Sequence, residues 1–147
     1  MNMNKNLDPV PSPARPGQSL PSVSRVITQQ CIDAYARASG DDNPLHTDPR
    51  YAAGKRFGST IAHGMLVLSL VEELMARGYP RAWACGGGVD VRFKQPALPG
   101  DVLQAEGTVI KAVSKPGSRQ VTCEIRVAKN GSTPVLAGTA WVNIEKE

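Results

Sequence analysis

Aromatic residues are scarce in this chain: Phe, Trp and Tyr make up 5% of its 147 residues. Lysine and arginine are scattered, with no basic block interleaved with aromatics, so no nucleic-acid partner is expected. Cysteine is also sparse. Cys31, Cys85 and Cys123 are too far apart for a CxxC pair or a zinc-ligand spacing. That excludes a disulfide framework and predicts three small buried hydrophobes in a reducing compartment. No apolar run is long enough to cross a bilayer; "MLVLSLVEELM" is short and carries Glu72 and Glu73. The N-terminus has no apolar core of a signal peptide. No membrane association and a cytoplasmic location follow as expectations. HExxH and GxSxG are missing. "CGGGVD" is not a dinucleotide-binding GxGxxG, and its glycines predict a bend or bulge in a strand.

What is present is an ordinary globular composition, 41% hydrophobic and 20% charged. The net charge of +4 suits anionic ligands such as the phosphates of a nucleotide-bearing molecule. The length fits one domain with a tail. Residues 1–20 hold Pro9, Pro11, Pro13 and Pro16 and almost no large apolar residue, and predict a flexible arm. Residues 21–147 form the domain.

"SVSRVITQ" (22–29) alternates Val23, Arg25 and Ile27 against Ser22, Ser24 and Val26, a short strand pattern. A helix follows over 29–39, with Cys31, Tyr35 and Ala38 at helical spacing and Gly40 as its stop. Asp48 and Pro49 begin a second, short helix that Gly54 ends. "IAHGMLVLSLVEELMARG" predicts a long helix, apolar on most faces from Met65 to Leu74, with Gly78 just past its end. After Gly78 the pattern turns to strands. "AWACGGGVDVRF" reads as a glycine-rich strand. "RQVTCEIRVA" alternates cleanly, with Val121, Cys123, Ile125 and Val127 on one face. "NG" at 130–131 marks a hairpin. One buried helix and at least four antiparallel strands give an α+β class, most simply with the sheet wrapped around the helix.

The chain has two histidines, His46 in "SGDDNPLHTDP" and His63 in "IAHGM". Pro44 keeps Asn43 out of the helical region, so the first stretch is a turn. In a turn, Asp41 or Asp42 can converge with His46 on one water and form an acid/base pair. Asn43 can orient the pair or bind a substrate oxygen. The plainer reading is that these residue types simply form turns and caps. His63 and Gly64 open the long helix. The N–H groups there point outward at the positive end of the helix dipole, as an oxyanion hole requires. His63 fits either a substrate-positioning role or a packed, capping one. A metal held by both histidines and an aspartate has no spacing to support it, and no metal or cofactor is expected.

"YARASGDDNPLHTDPRYAAGKRFGSTIAHGMLVLSL", followed by "VRFKQPALPGD", resembles the signature of the MaoC-like, (R)-specific enoyl-CoA hydratases over about residues 22–113. The resemblance implies a single hot-dog domain, an antiparallel sheet wrapped around a long central helix. It implies that Asp41, five residues before His46, is the catalytic partner of that histidine, and that Asp42 is not. It implies that the Gly64 N–H is the oxyanion donor. The implied reaction is reversible syn hydration of a trans-2-enoyl-CoA to the (R)-3-hydroxyacyl-CoA. The implied partners are an acyl-CoA thioester and a second copy of the chain, with the CoA at the interface of a homodimer. The family's acyl pocket draws on the back of the central helix, where this chain has Glu72, Glu73 and Met75; Met75 is the candidate pocket residue. A hot-dog acyl-CoA thioesterase and a non-catalytic acyl-CoA-binding accessory subunit are the alternatives.

Overall fold

The period-two alternation of the last third of the chain becomes three long strands, β3 (Val102–Lys115), β4 (Ser118–Lys129) and β5 (Thr133–Glu145). These belong to a computed structural model that describes residues 14–146. With β1 (Val23–Val26) and β2 (Gly87–Phe93) they make one five-stranded antiparallel sheet, ordered β1-β3-β4-β5-β2. The five helices are α1 (Gln29–Ser39), α2 (Pro44–Thr47), α3 (Pro49–Ala53), α4 (Gly64–Gly78) and α5 (Pro80–Cys85).

The alternation sets which side of the sheet is buried. Leu103, Ala105 and Val109 of β3 face inward, as do Val121, Cys123, Ile125 and Val127 of β4 and Leu136, Ala140 and Val142 of β5. Two irregularities bend the sheet. Register slips between Val109 and Lys111, turning Ile110 out to solvent. It slips again between Val127 and Ala128, and both Val135 and Leu136 are buried there. The curved sheet packs on α4 through β1, β3, β4 and β5. That arrangement is the α+β hot-dog architecture expected from the sequence. At the β4–β5 hairpin, Asn130 (φ 51°) and Gly131 (φ 96°) both take the left-handed backbone the turn needs.

Helix α4 buries Val67, Leu70, Val71, Leu74, Met75 and Gly78. It is not covered all round: Met65 is 58% exposed, and Ser69 and Glu72 are exposed too. Gly78 is the last helical residue and Tyr79 the cap. Pro80 then starts α5 directly, so "AWAC" is helix and not strand. The following glycines also serve a different purpose from the expected bulge. The β2–β5 register runs unbroken from Gly87 to Phe93. A Cβ on Gly87 would lie 2.4 Å from the Trp83 ring, and one on Gly88 2.0 Å from the Trp141 ring. The two glycines seat two indoles.

Three further expectations change. Helix α1 buries Ile32 and Ala36, while Ala38 is exposed and Cys31 and Tyr35 are half-buried. Of the cysteines only Cys123 is buried, and Cys85 is exposed. Residues 1–13 of the expected arm lie outside the described residues, but residues 14–20 lie against the sheet. The N–H groups of Gly17 and Leu20 donate to Val109 and Gly107 (2.8 Å each), and Ala14 and Leu20 are buried. Residues 14–20 can pack there because β1 is short and leaves the end of the β3 edge open to pairing. No helix among the described residues is long and apolar enough to cross a membrane.

Candidate active site

Gly40 ends α1 in the left-handed conformation (φ 79°) and turns the chain out into "DDNP". Asn43 is extended (φ −50°, ψ 129°) because a proline follows it. Its side-chain oxygen accepts from the Leu45 N–H at 2.9 Å and caps α2, which Pro44 starts. Its carboxamide oxygen is thus used within the turn, which leaves the amide NH2 as the end that could meet a substrate oxygen. His46 sits on the single turn of α2. Asp41 lies before the cap, its N–H donating to Ser39 Oγ at 3.2 Å.

The hydrogen bonds assign the tautomers of both histidines. His46 Nδ1 lies 2.8 Å from the carbonyl oxygen of Ile61. A carbonyl only accepts, so Nδ1 carries the proton, and the neutral ring keeps a lone pair on Nε2. His63 Nε2 lies 2.9 Å from the backbone carbonyl of Asp41 and likewise carries its proton. His63 is 2% exposed, and its Nδ1 has no hydrogen-bond partner. The two imidazoles stack, with centroids 3.8 Å apart and planes 24° from parallel. Tyr35 packs on His63 at 4.8 Å.

Asp41 is exposed, and among the described residues the one hydrogen bond to its carboxylate is a long one from the Asn43 N–H, 3.4 Å. A carboxylate oxygen of Asp41 and ring nitrogens of His46 and His63 lie within 4.8 Å of one another. This is the one cluster of metal-ligand type among the described residues. Each ring already spends one nitrogen on a backbone carbonyl, and the stacked rings keep their remaining lone pairs in separate, near-parallel planes, so the donor set fits a cation poorly. A water, which accepts and donates in several directions, suits the gap between a carboxylate and an imidazole. Asp42 is also exposed, and its backbone carbonyl, not its carboxylate, accepts from Thr47 Oγ1.

Next to His63, Gly64 opens α4. His63 provides no side-chain cap, so the first-turn N–H groups are left without one. Gly64 lines a cleft whose walls include Phe57, Ile61, Val67, Phe93 and Ala97. The Phe93 ring lies 3.2 Å from where a Cβ would stand on Gly64. Any side chain there would press on the ring and crowd the N–H. Met75, the expected pocket residue, is elsewhere: it is fully buried in the core and does not line this cleft. Nor do the glutamates. Glu72 accepts from Trp83 Nε1 at 2.9 Å, and Glu73 pairs with Arg25 and Arg77.

Gln29, Thr60 and the Ile61 carbonyl, which hold His46 from three sides of the chain, carried no signal in the sequence. Gln29 Nε2 donates to the His46 carbonyl and to Asp33 Oδ1, both at 2.8 Å. Thr60 Oγ1 donates to Gln29 Oε1 at 2.6 Å. Residues with such long sequence separations leave no local pattern.

Known proteins resemble this chain in sequence and in fold. Residues 11–130 match the family described as MaoC like domain. The (R)-specific enoyl-CoA hydratase of Aeromonas caviae is 33% identical over 113 residues, covering 77% of this chain and 83% of that protein. The 3-hydroxybutyryl-CoA dehydratase of Methylorubrum extorquens is 26% identical over 125 residues, covering 85% of this chain and 78% of that protein. Among solved structures, the unliganded R-hydratase PhaJ1 from Pseudomonas aeruginosa superposes with a TM-score of 0.76 at 30% identity, covering 90% of this chain and 83% of the other.

Proposed function

Because the chain belongs to the MaoC-like dehydratase family, we propose that it hydrates a trans-2-enoyl thioester, reversibly, to the (R)-3-hydroxyacyl thioester. One observation carries this reading. A carboxylate oxygen of Asp41 and a ring nitrogen of His46, two groups able to take or give a proton, lie within 4.8 Å of one another, and the bond from Nδ1 to the Ile61 carbonyl leaves the His46 lone pair on Nε2.

In the hydration direction a water is held between Asp41 and His46. As its oxygen bonds to C3 of the enoyl chain, the pair takes one of its protons and returns a proton to C2 on the same face. The elements of water are thereby added across one double bond. Negative charge develops on the thioester oxygen during that step. The Gly64 N–H, at the positive end of α4, donates to it. Dehydration is the same path reversed. The Ile61 carbonyl keeps His46 in the tautomer whose Nε2 can act as base.

The carrier in this reading is coenzyme A, and the net charge of +4 favours its phosphates. A homodimer with the thioester at the interface is part of the reading. Its support is the exposed Phe93 beside the cleft, the exposed Met65 on α4 and the free edge of β2. No cofactor enters the chemistry proposed.

Hydration of crotonyl-CoA, followed at the enoyl absorbance with chiral analysis of the product, tests the proposal. Asp41→Asn and His46→Ala should each abolish turnover while the protein stays folded. Full activity in both variants would overturn it. Release of free thiol without hydration would replace it by a thioesterase.

A further inference from the structure

Gln29 is the first residue of α1, yet its side chain reaches two other elements. Its Nε2 faces two acceptors, the Asp33 carboxylate one helical turn on and the His46 carbonyl across the site. Its Oε1 faces one donor, the Thr60 hydroxyl. That chemistry fixes which end of the amide is nitrogen, since the reverse orientation would set its oxygen against a carboxylate and a carbonyl. The His46 carbonyl lies in the last turn of α2, where carbonyls lack helical partners, and Gln29 satisfies it.

From Thr60 the chain runs on to Ile61. The Ile61 carbonyl takes the His46 Nδ1 proton, and the Ile61 N–H donates back to the Leu45 carbonyl at 3.3 Å. The contacts close a loop: His46 carbonyl, Gln29, Thr60, Ile61, His46 ring. The backbone, the ring and the tautomer of His46 are all held from it. Thr60 is 3% exposed, so its end of the loop is shielded from competing water.

We infer that Gln29, oriented by Asp33 and locked by Thr60, is a positioning residue for His46. It touches no reacting atom. It acts by holding the carbonyl of His46 at one fixed distance from the segment that carries the Ile61 acceptor, so that Nε2 stays aimed at the water beside Asp41. The inference rests on the proposed hydratase reading for its kinetic consequence, but not for its structural one.

The experiment uses the full chain with Gln29→Met, which keeps length and removes all three hydrogen bonds. Two readouts are taken. The first is the split between kcat and KM on crotonyl-CoA: kcat should fall on the order of ten- to a hundredfold with KM little changed, as for a displaced catalytic group. The second is the tautomer of His46, read from long-range proton–nitrogen NMR of the ring. Wild type should hold the proton on Nδ1, and Gln29→Met should show a mixture with faster ring N–H exchange. Thr60→Val cuts the loop from the other side and should reproduce both effects, so a folding failure of one variant leaves the other decisive. The double variant should be no worse than the worse single one, because both break one unit. Thr60→Ser, which retains the hydroxyl, should restore the wild-type tautomer. Folded variants with wild-type kcat and an unchanged His46 tautomer would overturn the inference, as would a rise in KM alone. An inactive wild type would instead sink the hydratase reading, and the NMR readout would still decide the role of Gln29.

Discussion

Two polar turns of this molecule each present an aspartate, and the two are used in opposite ways. In "LPGDV", Asp101 is 15% exposed at its side chain, and both oxygens are bonded. Oδ2 accepts from the Leu98 N–H at 2.9 Å and pairs with Lys129 at 3.3 Å, while Oδ1 accepts from Asn130 at 2.9 Å. Its backbone carbonyl accepts from the Ile27 N–H, tying the end of β1 to the start of β3. In "SGDDNPLH", Asp41 is held by its backbone, through the bond from His63 to its carbonyl, and its carboxylate is left almost free. A carboxylate with its lone pairs filled is a structural clamp. One fixed by its backbone, with its lone pairs open beside an imidazole, is available for chemistry.

The sharpest way to break this contrast is to remove the charge from each turn. Asp41→Asn should lower kcat by roughly 10²–10⁴, the range for loss of an acid/base group. Its melting temperature should stay near that of wild type, because no strong hydrogen bond to the carboxylate is lost. Steady-state hydration assays paired with thermal melts check this. A large fall in stability would place Asp41 with Asp101 as a clamp.

Asp101→Asn should do the reverse. It keeps an acceptor for the Leu98 N–H but gives up the charge that Lys129 and Asn130 meet. Unfolding free energy should fall by about 1–3 kcal/mol, as for a buried charged hydrogen-bonding group. Activity per folded molecule should be retained. Urea unfolding with activity measured below the transition decides it.

Acid titration sharpens the same point. Burial alone would push the Asp101 carboxyl up. The hydrogen bonds from Leu98, Asn130 and Lys129, with the Lys129 charge, outweigh it and hold the group below its ordinary 3.8. A depressed folded value means that this stabilisation is fully present above the unfolded value near 3.8 and is lost as pH falls through the folded one. The stability gap between wild type and Asp101→Asn should therefore close below about pH 4. A gap independent of pH would mean that shape, not charge, makes the clamp.

The contrast between the two aspartates was only half legible in the sequence. Asp41 and Asp42 could both be placed in one turn with His46, and only the resemblance to the MaoC-like hydratases singled out Asp41. Asp101 could not be placed with its partner, because Asn130 is 29 residues away at the far end of the β3–β4 hairpin. The same rule separates the rest of the fold. Alternation at Val121, Cys123, Ile125 and Val127 is local, and it fixed the buried face of β4 in advance. The helix α5 spans six residues, too few for a period to show, and its indole on Gly87 closes only in three dimensions. His63 was legible as a residue of interest, but not its partner, since a backbone carbonyl carries no sequence signal. Gln29 was invisible for the same reason: its contacts to His46 and Thr60 lie 17 and 31 residues away.

The smallest effect belongs to Asp42, and it tests the comparison most closely. Asp42 shares with Asp41 its residue type, its turn and its exposure. It differs in position: its carboxylate accepts no hydrogen bond among the described residues, and the cluster with His46 and His63 does not include it. Asp42→Asn should change stability by less than about 0.5 kcal/mol, as exposed substitutions do. Turnover should change by less than about twofold, a barrier change of only a few tenths of a kcal/mol. Assayed beside Asp41→Asn, it separates two explanations of any loss. If activity depended on the summed negative charge near His46, the neighbours would fall together. If it depends on one carboxylate sharing a water with His46 Nε2, only Asp41→Asn falls, because a shift of one residue along this turn moves the side chain out of reach of the ring.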